Sequence, residues 1–343
     1  MSRKLQLSRR PLRALRAGGL AVAALAAGAG LAQAQPAGPQ RGQAMPAATQ
    51  GFQRVRIADS LYVVHGPDGN VVVQFGPDGA AVVDTQRDER GQALLNEINS
   101  IIGPRQIRFL FNTSADVEHT GANQLIREAG EQVFGGNVAG QASDLADEAA
   151  HLAHENVLLR MSETAGVSDG DWPKETYATN KYDLYFNGQG VQLFHEPSAH
   201  TNGDSIVYFR GADVLVAGDL WDTTSYPRID TAAGGSINGV LAGLNHMIDL
   251  AIPSHKQEGG TMVVPGRGRV GDESDLVEYR DMVTIIRDRI KAMADRGMSL
   301  EQVKAARPSF DYDGRYGAAT GPWTTDMFIT AVYEGVKPQR RGR

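Results

Sequence analysis

Residues 112–123 read Asn112-Thr113-Ser114-Ala115-Asp116-Val117-Glu118-His119-Thr120-Gly121-Ala122-Asn123. Asp116, Glu118 and His119 carry lone pairs that can ligate a cation or take up a proton, and Ser114 carries a hydroxyl. The apolar run before them, residues 108–111, reads as a buried strand. Gln124-Leu125-Ile126-Arg127-Glu128-Ala129-Gly130 follows and reads as a helix closed by a glycine. The chemistry-bearing side chains thus stand on a strand-to-helix turn. An α/β layer fold exposes reactive groups there, because the strand end is rigid and the loop is open to solvent.

The stretch resembles the signature of the metallo-β-lactamase superfamily, Asn-Thr-His-x-His-x-Asp-His-x-Gly-Gly-Asn, which supplies zinc ligands. Ser114 stands where the first His is expected, Asp116 where the second is, and Glu118 in place of the Asp; His119 is kept. Later segments resemble the same family in the right order. Pro197-Ser198-Ala199-His200-Thr201-Asn202-Gly203-Asp204 is similar to the loop whose His binds the first zinc. Ala217-Gly218-Asp219-Leu220 is similar to the segment whose Asp bridges or binds the second, and Pro265-Gly266-Arg267-Gly268 to Pro-Gly-His-Gly. The resemblance spans residues 55–268. Residues 311–317 and 321–326 look like a C-terminal extension of one exported subgroup.

The resemblance implies an αββα sandwich, an α/β fold of two mixed sheets with helices outside. It also implies a site where the loops bearing His119, His200, Asp219 and Arg267 converge. By position, Ser114, Asp116 and His200 would form the first metal site. Glu118, His119 and Arg267 would form the second, with Asp219 nearest the shared position and Asp84 orienting the loop from behind. Hydrolysis in such a site rests on cations that polarise a carbonyl and activate a water.

Ligand chemistry narrows this set. Asp116, Glu118, His119, His200 and Asp219 can ligate; Ser114 is a poor ligand at neutral pH, and Arg267 has no free lone pair. A fixed guanidinium beside a cation site costs about 4 kcal/mol at intermediate dielectric, so at most one ion is expected. Arg267 would then take the place of the second metal, its fork pairing with Asp219 or Glu118. One ion would be held by Asp116, His200 and Asp219, with His119 available. The carboxylate-rich set shifts preference from zinc toward manganese or iron(II), although zinc still binds more tightly at equal supply. A site without metal stays open beside it.

Two function classes follow. One is a hydrolase of a lactam, lactone, ester or thioester, with Glu118 or Asp219 handling the proton and Arg267 binding a substrate carboxylate or the oxyanion. The other is a non-catalytic pseudoenzyme or small-ligand-binding protein on the same fold.

Composition bounds the setting. The chain has 343 residues and no cysteine, which removes disulfides, thiolate zinc sites and a Cys nucleophile together. Residues 1–34 read as an export signal: a basic start, an Ala- and Gly-rich apolar run over residues 18–31, and the small-x-small triplet Ala32-Gln33-Ala34. Ser8-Arg9-Arg10-Pro11-Leu12 loosely resembles a twin-arginine signal. A periplasmic or secreted protein is expected. Without the six basic residues of that segment, 28 basic face 40 acidic residues, a formal charge of −12. Such acidity argues against nucleic acid or an anionic membrane as partner and leaves a small-molecule substrate or ligand, with no stable membrane insertion. Residues 35–51 read as a disordered linker, 52–336 as the fold, and 337–343 as a solvated basic tail. Within the fold, a helical insert is expected over about residues 140–165 and a helical extension over about residues 270–336.

The elements that must position the site alternate in type. Residues 54–57, 61–64, 70–75 and 80–84 read as strands, and 91–102 as a helix. Residues 191–195, 205–209 and 214–219 read as a second strand set. Both sets end a strand in an acid, Asp84 and Asp219, which suggests two related halves. Residues 239–252, 275–296 and 324–336 read as helices, 261–265 as a strand, and Ser299-Leu300-Glu301-Gln302 as a capping box. Residues 144–161 read as one helix with His151 and His154 three apart, better explained by packing than by metal. His65 and His195 read as structural. Tyr208, Trp221, Tyr226 and Trp323 read as core rather than a substrate wall. No Gly-x-Ser-x-Gly elbow surrounds Ser114, so a serine nucleophile has little support.

Overall fold

The computed structural model describes residues 51–131, 148–256 and 259–338. Seven strands form the first sheet, in sequence order: β1 (Gln53–Ala58), β2 (Leu61–His65), β3 (Asn70–Gly76), β4 (Gly79–Val83), β5 (Ile107–Phe111), β6 (Ala150–His154) and β7 (Glu175–Tyr177). The second sheet holds β8 (Lys181–Phe186), β9 (Gln189–Glu196), β10 (Asp204–Phe209), β11 (Val214–Val216) and β12 (Met262–Val264). Both are mixed. β1 to β4 pair antiparallel and β4 to β7 parallel. β8 to β11 pair antiparallel, and β12 joins β11 in parallel. The run β1–β5 therefore repeats as β8–β12, each with its parallel step after the fourth strand.

Burial explains the layering. Along β4, Ala81 and Val83 enter the core between the sheets, whereas Ala80 and Val82 face the outer core. Side chains alternate with period two, so a strand covered on both faces becomes a continuous apolar run. Leu61, Val72 and Phe111 meet Leu193, Val207 and Val216 from the other sheet. Outside the first sheet lie α1 (Asp88–Ile102), through Leu94, Ile98 and Ile102, and α3 (Asn123–Glu128), through Ile126. The short α2 (Val117–Thr120) carries Glu118 and His119. α4 (Glu155–Glu163) follows β6. Outside the second sheet, α5 (Ile237–Leu250), α6 (Glu273–Asp295) and the last helix cover Ile206, Leu215 and Val263. The C-terminal helices are α7 (Leu300–Ala305), α8 (Phe310–Tyr316) and α9 (Thr325–Val336). The order is helix, sheet, sheet, helix. Each fully buried valine of this core contributes about 1.5–3 kcal/mol relative to exposure.

One helix reading is corrected. Residues 150–154 are the strand β6, buried at every position, and the helix begins only at Glu155. Ala-rich local propensity is a weak preference, and parallel pairing to β5 and β7 overrides it. His151 and His154 consequently face opposite sides of a strand instead of sharing a helix face. The first part of the expected insert, residues 140–147, lies outside the described residues. So do the expected export signal, the linker up to residue 50, and most of the basic tail. The capping box at Ser299 and Gln302 is present and opens α7. No helix among the described residues is long and apolar enough to cross a membrane.

Candidate metal centre

The chemistry-bearing residues gather where strands of both sheets end. Asp84 follows β4, Asp116 to His119 follow β5, His200 lies between β9 and β10, Asp219 follows β11, and Arg267 follows β12. Carboxyl ends of parallel strands are the usual place for a ligand crevice in such folds.

Asp84 holds the first loop. Its backbone is left-handed, with φ of 62°. Such a conformation costs about 1–3 kcal/mol, and Asp tolerates it better than most residues. There its carboxylate accepts from the Thr113 amide at 2.7 Å, the Thr113 hydroxyl at 2.6 Å and His119 Nδ1 at 3.0 Å. With Nδ1–H committed, Nε2 of His119 points at Asp219 Oδ2, 3.1 Å away. Burial opposes charge on His119, but the Asp219 and Asp84 carboxylates outweigh it and hold its pKa well above the ordinary value. Behind the loop a buried amide network closes: Asn112 donates to the His119 carbonyl, Asn123 to Asn112, and His151 Nε2 to Asn112 Oδ1 at 2.6 Å. Burial, with Arg127 and Lys174, pushes His151 down to about 3, so it stays neutral.

The His200 loop is seated on the start of α5. Ser236 caps that helix and its amide donates to the carbonyls of Ser198 and Ala199. Gly239 lies so close that a Cβ there would meet the Ser198 carbonyl at 1.7 Å. His200 Nδ1 then stands 3.4 Å from Asp204 and 3.7 Å from Asp219, with Nε2 3.6 Å from Asp116. Burial opposes its protonation, but Asp204, Asp219 and Asp116 raise it to about 9. Gly218 permits the turn into Asp219, with φ of 53° and a would-be Cβ 2.4 Å from Thr113 Oγ1.

Ligand atoms of Asp116, His200 and Asp219 lie within 4.8 Å of one another. His200 Nδ1, His119 Nε2 and Asp219 Oδ2 are buried without an aligned hydrogen-bond partner. Buried polar atoms are normally paired; His119 Nε2 faces Asp219 as a donor, and a cation would satisfy Asp219 Oδ2 directly and His200 Nδ1 once it displaced that ring's extra proton. Asp116, His200 and Asp219 are the residues that could together hold one cation. Ser114 is fully buried and its hydroxyl accepts from the Asp116 amide at 3.3 Å, a turn contact within the loop.

Of its two expected partners, Arg267 meets Glu118, in a long ion pair at 3.9 Å, and among the described residues it forms no ion pair with Asp219. Glu118 is held more closely by Arg87, at 2.7 Å. Burial raises the Glu118 pKa, but its own backbone amide, the Arg87 hydrogen bond and the charge of Arg228 bring it below the ordinary value. Arg87 sits just before α1 and also faces Asp68 at 3.8 Å. Arg228 reaches Asp116 Oδ2 at 3.6 Å, and Arg160 lies 3.9 Å from the other Asp116 oxygen. Burial disfavours charge on Arg228, but the carboxylates of Asp219, Asp116, Glu118 and Asp222 raise its pKa further.

Sequence reasoning did not single out Arg87, Arg160 or Arg228. Arg228 lies outside every family-like segment. Its only local signal is the turn-rich Asp222-Thr223-Thr224-Ser225 and Pro227 around it. Among the other candidates, His65 donates from Nδ1 to Asn70 Oδ1 at 2.7 Å, and Asn70 clamps the carbonyls of Pro265 and Gly268. His195 stacks on His154 at 3.5 Å and hydrogen-bonds the Asn202 carbonyl at 2.8 Å. Trp221 and Tyr226 are core residues, and Tyr208 and Trp323 pack against that core.

Comparison with known proteins agrees with this architecture. A metallo-β-lactamase from Pontibacter korlensis superposes with a TM-score of 0.52 at 16% identity, over 68% of this chain and 99% of its own. A double mutant of the sec-alkyl sulfatase PisA1 superposes with a TM-score of 0.60 at 13% identity, over 83% of this chain and 50% of its own. At these identities the likeness is one of fold. No curated protein matches the chain. The family model of the metallo-beta-lactamase superfamily matches residues 64–286. With two mixed sheets between helices and the site at their shared rim, the chain belongs to the metallo-β-lactamase superfamily.

Proposed function

We propose that the protein is a hydrolase that works with one divalent ion held by Asp116, His200 and Asp219, opening a lactam, lactone, ester or thioester. The supporting observation is that ligand atoms of Asp116, His200 and Asp219, from both sheets, lie within 4.8 Å of one another with His200 and Asp219 buried. A bound ion would supply Lewis-acid polarisation of the scissile carbonyl. The chain's own groups do the rest. Asp84 fixes His119 through Nδ1, so Nε2 faces the pocket as the atom placed to hold or deliver a proton. Asp219 Oδ2 stands opposite as its acceptor. Glu118, engaged by Arg87, serves less as a base than as an anchor for the cationic rim. Arg267, beside Glu118 and partly exposed, is placed to meet a substrate carboxylate.

The second reading, a ligand-binding protein without catalysis, is favoured by Arg228, which already supplies positive charge to the acids. Metal content of protein purified without a His tag, combined with chromogenic lactam, lactone and ester screens, separates the two. One ion per chain with turnover lost in Asp219→Asn supports the hydrolase. A metal-free protein without turnover at added zinc or manganese sinks it.

A further inference from the structure

We propose that Arg228, rather than Arg267, is the resident counter-ion of this acid pocket, competing with a metal ion for Asp116. The inference deepens the metal reading and rests on it.

Asp116 Oδ2 lies between two groups, His200 Nε2 at 3.6 Å and Arg228 Nη2 at 3.6 Å. The oxygen that turns toward the pocket's histidine therefore also faces the guanidinium. At that separation the Arg228 contact is an ion pair and not a hydrogen bond. It neutralises the carboxylate while leaving its lone pairs unused. Arg267, by contrast, forms its one ion pair among the described residues with Glu118, at 3.9 Å, and lends charge to Asp222; Glu118 is already held by Arg87 at 2.7 Å.

Arg228 is brought there by structure built for the purpose. Tyr226 and Ile229, on either side of it, are buried in the core outside the second sheet. Tyr226 stacks on Phe328 of α9 at 4.6 Å, and its one hydroxyl proton is shared between the Ser309 carbonyl and Asp313 of α8. Its amide bonds the Tyr316 carbonyl. Asp222 closes a turn at one end of the loop through Thr224 and Ser225. Asp230 ties the other end to the His200 carbonyl through its amide, and to Arg160. The C-terminal helices thus aim a fixed positive charge at the acids.

The ion and the guanidinium both draw on Asp116. A cation must bind beside like charge or turn Arg228 aside. Removing that charge while keeping the side chain's bulk should tighten metal binding. Manganese and zinc titrations by calorimetry on the full chain, Arg228→Gln and Arg267→Gln give the test. Arg228→Gln should bind at least about tenfold more tightly than the unaltered protein, and Arg267→Gln should stay within about threefold. Arg228→Met, of similar length, should reproduce the gain, and Arg228→Lys, which keeps the charge, should not.

In the unaltered protein, metal saturation should shift the Arg228 side-chain Nε–H resonance and leave in place that of Arg90, whose Nε pairs with Asp68 at 2.8 Å. Equal or weaker binding by both Arg228→Gln and Arg228→Met overturns the proposal, as does an equal gain in Arg267→Gln. If the unaltered protein takes up an ion that Asp219→Asn loses, yet Arg228→Gln gains nothing, only this proposal falls. If none of the variants takes up an ion, the metal reading falls with it.

Discussion

His119 Nδ1 and Asp84 Oδ2 stand 3.0 Å apart, and the same carboxylate accepts the amide and hydroxyl of Thr113. One buried acid therefore sets both the loop after β5 and the ring that enters the pocket. Asp84→Asn keeps the shape and tolerates the left-handed backbone, but it gives up charge-assisted acceptance. The expected loss is about 1.5–3 kcal/mol in urea unfolding. An unshifted midpoint would remove Asp84 from this role.

His151, behind the loop that carries His119, makes stability sensitive to acid. Its pKa falls from the usual 6.5 to about 3 because it is buried, with Arg127 and Lys174 adding to the effect. The unfolded chain takes up this proton below about pH 6.5, while the folded chain refuses it until about pH 3. Stability from this group is therefore intact at neutral pH and declines as pH falls, by on the order of 2 kcal/mol at pH 5. His151→Gln, whose amide can donate to Asn112, should flatten this decline between pH 6.5 and 5 relative to the unaltered protein. Parallel curves for the two proteins would count against it.

Gly239 lets α5 approach the Ser198 carbonyl, where a Cβ would sit 1.7 Å away. Gly239→Ala must push the His200 loop or the helix aside, with an expected cost of about 1–3 kcal/mol. Metal affinity should fall as His200 moves. A variant as stable as the parent, with unaltered metal uptake, would contradict the close packing described for this loop.

Glu118 and His200 separate the anchor from the ligand. Glu118→Gln should leave zinc or manganese affinity within about threefold, because its carboxylate is spent on Arg87. His200→Ala should lower affinity by at least about tenfold. Calorimetric titration reads both, and the reverse order would reassign the ligand set.

The layers were legible because the apolar runs of β3, β4 and β10 and the spacing in α1 and α6 report directly on burial. The echo between the two strand sets was legible too, through Asp84 and Asp219 at matching strand ends. β6 was not, since Ala150 and His151 carry no strand preference of their own and only parallel neighbours make them one. β7 and β8 were hidden by polarity: β8 alternates exposed and partly buried residues at a sheet edge. In the site, the gathering of Asp116, His200 and Asp219 could be read from family-like segments. The partners of the acids could not. An arginine's long stem lets its charge land far from its sequence neighbourhood, so Arg87 and Arg228 gave no periodic or motif signal.

Asp116 hangs from the first sheet, and His200 and Asp219 from the second. The pocket is therefore a seam, present only while the two halves are clasped. A chain with either half unfolded offers no complete ligand set, so ion uptake during refolding should trail docking of the halves. By mass action a captured ion would tighten the clasp itself. Chelation should then loosen the join between the halves before it disturbs the strand pairing within either one.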